Sequence, residues 1–104
     1  LVHVSDDAMA PWCLRGDLLV VSLAEIEDAT GPIALRMSLA APVVLRWVSQ
    51  VREGFRLDVL STDAGISPVI VPRLARDEAD ALAGVPLVLG RPCWLLRSLN
   101  TPRR

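Results

Sequence analysis

The side chains able to do chemistry in this sequence are few, so the reactions open to it can be weighed one at a time. Cys13 is a potential nucleophile, and His3, the sole histidine, is a potential base for it. A Cys–His pair needs a third group to orient the imidazole, and nothing near His3 in sequence supplies one. The simpler reading makes Cys13, which stands just before an apolar run, a small buried hydrophobe, and leaves His3 solvated or packed near the start of the chain. Asp6 and Asp7 are adjacent carboxylates that could suggest acid–base or metal chemistry. Asp side chains also bond nearby backbone N–H groups, and the expected role of this pair is to shape the turn before Met9. Cys13 and Cys93 are the only cysteines, too few for a disulfide scaffold and without the paired spacing of a metal site. No metal or cofactor is expected.

All 11 basic residues are arginine, and the chain has no lysine. A Ser–Lys dyad needs an amine that burial can hold neutral, whereas a guanidinium stays protonated at any accessible pH. Arg46 therefore cannot serve as a base, and is expected to face solvent or a carboxylate. With a formal net charge of −1, the chain has no basic field to hold phosphates, so DNA contact would come from another segment. Hydrophobic residues make up 52% of the chain and charged residues 22%. The apolar runs are broken well before the roughly 18 positions of a membrane span, so no membrane partner is expected. The cysteine usage and the lack of a leader-like start point to a reducing cytoplasm, and the opening at Leu1 reads as the start of an excised fragment.

These residues must be positioned by short strands. Leu18–Leu23, Pro32–Met37, Val43–Val48, Phe55–Leu60, Pro68–Val71 and Leu87–Leu96 are rich in Val and Leu and are bounded by Gly, Pro and charged residues. Phe55, Leu57 and Val59 alternate with Arg56 and Asp58, as in a strand with one buried face, and Arg52, Glu53 and Gly54 form the turn before it. Leu18 to Val21 and Val43 to Leu45 do not alternate, which predicts strands buried on both faces. One surface helix of about two turns is expected over Asp77 to Ala83, with Asp77 as cap, Glu78 and Asp80 in the first turn and Gly84 at the end. Core packing is expected of Trp47, while Trp12 and Trp94 are candidate partner-binding anchors.

The stretch from Asp6 to Val21 resembles a motif of the LexA/UmuD/phage-repressor family of self-cleaving Ser–Lys peptidases, Gly-Asp-Ser-Met-x-Pro followed by Gly-Asp before a hydrophobic strand. Asp7, Met9, Pro11, Gly16 and Asp17 match it in identity and spacing. Val44-Leu45-Arg46-Trp47 resembles the strand that carries the family's base. Leu60-Ser61-Thr62-Asp63 with Ser67 to Val71, and Leu89 to Trp94, resemble its later strands, while Pro92 and the segment from Arg73 to Ala83 depart from the pattern.

The resemblance puts Ala8 at the nucleophile position and Leu45 at the base position, 37 positions apart, close to the family's usual separation. Neither a methyl nor an isobutyl group can do the reaction. What the resemblance implies is a mostly β domain of the LexA/signal-peptidase type over residues 1–99, with bent strands around one core; the Arg-rich end over 100–104 is expected to be a disordered tail. The implied role is a homodimerising, non-catalytic regulatory module of a bacterial or phage transcriptional repressor. Such a protein would bind DNA only through a helix-turn-helix outside this sequence. It would be switched by an antirepressor or ligand rather than by the RecA-stimulated cleavage of the SOS response. Two alternatives stay open: a Ser-to-Ala form of an active peptidase, and a stand-alone adaptor that binds a peptide strand in the former substrate cleft without cutting it.

Overall fold

A computed structural model of the chain describes residues 2–10, 12–22, 30–61, 65–82 and 84–96, the side chains of 94–96 excepted. Among the described residues seven antiparallel strands form one sheet: β1 (Val2–His3), β2 (Leu18–Ser22), β3 (Gly31–Arg36), β4 (Val43–Val51), β5 (Gly54–Asp58), β6 (Val69–Val71) and β7 (Leu87–Leu96). Their order across the sheet is β1-β2-β7-β3-β4-β5-β6. The fold is therefore mostly β, as expected from the sequence, with all six strands that the sequence suggests.

β7 holds the sheet together because it changes partner along its length. Leu87 to Gly90 pair with β3, and Arg91 to Leu96 pair with β2. The register shifts on both sides of this crossover, at Val20/Val21 and at Ala34/Leu35. Gly90 sits at the crossing, where a Cβ would run into the carbonyl oxygen of Ser22, so only glycine lets the two backbones approach this closely.

Successive side chains of β3 and β4 point to opposite faces. On one face Ala34, Val43 and Leu45 pack with Val4, Met9, Cys13 and Leu19. On the other, Ile33, Leu35, Val44 and Val48 pack with Leu57. A third cluster, of Ala75, Ala81, Val85 and Leu87, continues the first through Leu89, which packs against both. The expected single core is thus divided by the central strands.

Four details differ from the sequence-based expectations. Leu18, Val20 and Val21 are half-buried and only Leu19 is fully buried, so β2 is not covered on both faces as Val43, Val44 and Leu45 are. β5 ends at Asp58 rather than Leu60, because the N–H groups of Leu60 and Ser61 turn to the carbonyl of Ala8. The helix α1 is a single turn, Glu78–Ala81, with Asp77 capping the N–H of Asp80 at 2.7 Å, and with Gly84 at φ 88° just beyond it. Trp47 is 45% exposed instead of packed in the core. The ends of three expectations, at Leu23, at Thr62-Asp63 and at Ala83, lie outside the described residues, as do Pro11 and the tail over 100–104.

Candidate functional site

The described residues of the segment that carries the motif, 4–10 and 12–17, form a loop whose ends meet. The N–H of Val4 bonds the carbonyl of Asp17 at 2.9 Å, and the N–H of Gly16 bonds the carbonyl of Val4 at 2.8 Å. Gly16 has φ 86°, a left-handed conformation that a side chain would strain, which accounts for glycine there. Aspartates organise the interior. Asp6 Oδ1 accepts from the N–H of Ala8 at 3.1 Å, Asp7 Oδ1 from that of Arg15 at 2.6 Å, and Asp17 Oδ2 from that of Leu14 at 2.8 Å. Asp6 and Asp7 therefore shape the turn before Met9. Each carboxylate satisfies a backbone donor that the loop would otherwise leave unpaired.

This loop is laid along the free edge of β4. β5 pairs with β4 only from Trp47 onward, so residues 43–46 have no strand neighbour on that side. Ser5 fills the gap: its N–H and its Oγ both donate to the carbonyl of Val43, at 3.1 and 2.7 Å. Beyond it, the carbonyl of Ala8 accepts from the N–H groups of Leu60 and Ser61 at 2.8 and 2.9 Å. Met9 and Cys13 then fold over the sheet, onto Leu45. The chain thus brings the neighbourhood of position 8 to that of position 45, across the sequence separation that the resemblance pairs.

Both positions are closed. Ala8 and Leu45 are each 0% exposed, and Leu45 shares a core cluster with Val4, Met9, Cys13, Leu19, Ala34 and Val43. Of the matched motif residues, Met9 is core, Asp7, Gly16 and Asp17 build the loop, and Pro11 is outside the described residues. Cys13 is wholly buried, so its thiol has no surface to offer a substrate, and His3 lies exposed on β1. Among the described residues no group of three or more His, Cys, Asp or Glu is placed to hold a metal, and no helix is long and apolar enough to cross a membrane.

One pair at this site is absent from the sequence reading. Arg46 faces Asp6 in a two-pronged contact, Nη1 to Oδ1 at 3.1 Å and Nη2 to Oδ2 at 2.8 Å, and Nη1 also donates to the carbonyl of Leu45 at 2.9 Å. The side chains are only 9% and 19% exposed, so this is a largely buried ion pair of fork geometry. Of the two outcomes expected for Arg46, solvent or a carboxylate, the second holds. A signal for the pair was present: Asp6 stands where the resembled motif has glycine, and Arg46 adjoins the base position. Around the site three large apolar side chains stay in solvent, Trp12 at 47%, Trp47 at 45% and Leu60 at 53% exposed.

No family model matches the chain, and no curated protein or solved structure matches it either.

Proposed function

We propose that the domain is a non-catalytic assembly and regulatory module of a LexA-like transcriptional regulator, in which a former Ser–Lys site is packed shut. The observation that carries this reading is the closure of positions 8 and 45 together. Ala8 and Leu45 are both fully buried, and Leu45 belongs to an apolar cluster with Val4, Met9, Cys13, Leu19, Ala34 and Val43. A domain with one serine replaced would keep a polar niche for its amine. Here the partner position is filled with hydrocarbon, and Asp6 and Arg46, which cannot act as the dyad, hold the two segments together. These coordinated departures at 6, 8 and 45 favour a degenerate site over a Ser-to-Ala form of an active enzyme. The retained role would be homodimerisation of a repressor that binds DNA through a separate helix-turn-helix in a bacterial or phage cytoplasm. Its switch would be an antirepressor or other ligand rather than self-cleavage.

Mass spectrometry of the chain and of its Ala8→Ser variant after prolonged incubation at alkaline pH tests the loss of chemistry. Both are expected to stay intact, and a specific internal cut in either would overturn the reading.

A second reading is favoured by Trp12, Trp47 and Leu60, whose exposure around the former cleft suits an adaptor that holds a peptide strand. It requires a monomer with a free cleft, which the mass of the domain in solution separates from the first.

A further inference from the structure

We propose that two copies of the chain meet through the uncovered half of the face that β3 to β6 present around Trp47, laid one on the other about a two-fold axis. The inference rests on the assembly reading above and names the surface which that reading leaves unassigned.

Strand register defines the surface. Directly paired residues of an antiparallel sheet share a face, as do residues two apart on one strand. Trp47 therefore lies on the face of Leu45, in line with Pro32 of β3 and Asp58 of β5. One step further along β4, Ser49 is in line with Arg56 of β5 and Ile70 of β6. Two rows thus cross the strands side by side, Pro32-Trp47-Asp58 and Ser49-Arg56-Ile70. The neighbouring part of this face is filled where Val4, Met9 and Cys13 pack with Ala34, Val43 and Leu45, and the opposite face where Val48 and Leu57 join the second cluster. Among the described residues the two rows have no such cover. Trp47, Arg56 and Ile70 are exposed, Pro32, Ser49 and Asp58 are half-buried, and none of the six belongs to a core cluster. A sheet ordinarily buries such a face against another layer.

The chemistry of the rows identifies the occupant as a second copy. Arg56 Nε donates to Asp58 Oδ1 at 2.8 Å, so a base and an acid stand side by side, one in each row, and the surface carries no net charge. A two-fold axis that runs across the strands, between the rows, exchanges them. It sets Arg56 of each copy against Asp58 of the other, and Trp47 of each over the small Ser49 of the other. Opposite charges meet and bulk meets space twice over, as an isologous contact requires. A peptide added by backbone pairing needs a sheet edge, whereas this surface offers side chains alone and suits another sheet face packed on it.

Sedimentation equilibrium over a range of concentrations tests the proposal on the unchanged chain, Trp47→Thr, Arg56→Glu, Asp58→Arg, and an equimolar mixture of the last two. The substituted side chains stand outside the core clusters, and circular dichroism checks that each variant is folded. The unchanged chain is expected to dimerise, and Trp47→Thr to raise the dissociation constant at least about thirtyfold, the scale of losing an interface anchor. Arg56→Glu and Asp58→Arg each set like charges against one another across the axis, and each should weaken self-association at least about tenfold. Mixing them sets two acids against two bases and should restore the dimer, a rescue that a misfolded variant could not give. A dimer of the unchanged chain that all three variants leave within about threefold would overturn the assignment of this face while the assembly reading stands. Loss of the dimer in both charge variants without recovery on mixing would overturn the facing of Arg56 with Asp58. A monomer at every concentration would overturn the proposal and the assembly reading together.

Discussion

Placing lysine at position 45 tests whether that position is as closed as its packing indicates. Leu45 has no exposed surface and lies in an apolar cluster with Val4, Met9, Cys13, Leu19, Ala34 and Val43, whose side chains supply no carboxylate to an ammonium group. In Leu45→Lys the amine must therefore be held neutral or lever the loop off the sheet. Holding an amine neutral at pH 7 forgoes about 3 pH units of its ordinary preference for charge, at about 1.36 kcal/mol each, or about 4 kcal/mol. Snorkelling of the four-carbon stem relieves part of this, which leaves an expected loss of about 2–4 kcal/mol. That is a large fraction of the roughly 5–15 kcal/mol that stabilises a typical domain.

The pH dependence has a definite sign. The folded state would depress the pKa of the introduced amine, so the unfolded chain binds more protons and stability rises with pH. The deficit of Leu45→Lys relative to the unchanged chain should shrink between pH 7 and about pH 10. Leu45→Met, which nearly conserves volume, should cost less than about 1.5 kcal/mol at either pH. Urea unfolding followed by tryptophan fluorescence at both pH values measures all three. A lysine variant within about 1 kcal/mol of the unchanged chain at pH 7, or a deficit that does not respond to pH, would refute the closed, apolar description of the site.

Three further outcomes follow from the same packing. Gly90→Ala should cost more than about 2 kcal/mol in urea unfolding, because its methyl has to displace the Ser22 backbone where β7 changes partner. Trp47→Thr should shift stability by less than about 1 kcal/mol, whereas Leu57→Ala, on the neighbouring strand but fully buried, should cost about 2–5 kcal/mol. Ala8→Ser places a hydroxyl in a fully buried position and should cost about 1–3 kcal/mol by thermal or urea unfolding.

The parts of the fold that local rules govern are the parts that the sequence made legible. Val43, Val44 and Leu45 form an unbroken apolar run and are buried on both faces, and Asp77 caps the helix through the N–H of Asp80. Asp6 and Asp7 bond nearby backbone as aspartates in turns do, and Cys13 is a core residue. What escaped the sequence depends on which strands become neighbours. Trp47 follows Leu45 on the same face of β4 but extends past the cover that the loop provides, so it emerges into solvent. Leu18, Val20 and Val21 lie toward the β1 side of the sheet, where less is packed over them. β1 has only two residues and exists because Val2 and His3 meet Leu19 and Leu18, which no local pattern announces. The Asp6–Arg46 pair joins residues 40 apart, and its traces in the sequence are a carboxylate at a glycine position of the resembled motif and an arginine beside the motif's base position.

The proposed assembly role is tested most directly by sedimentation equilibrium of the domain over a range of concentrations. A dimer is the expected result, with a mass of twice 11.3 kDa that persists on dilution to low micromolar concentration. A monomer of 11.3 kDa at every concentration would contradict it, and would leave the exposed Trp12, Trp47 and Leu60 to be explained by the peptide-binding adaptor.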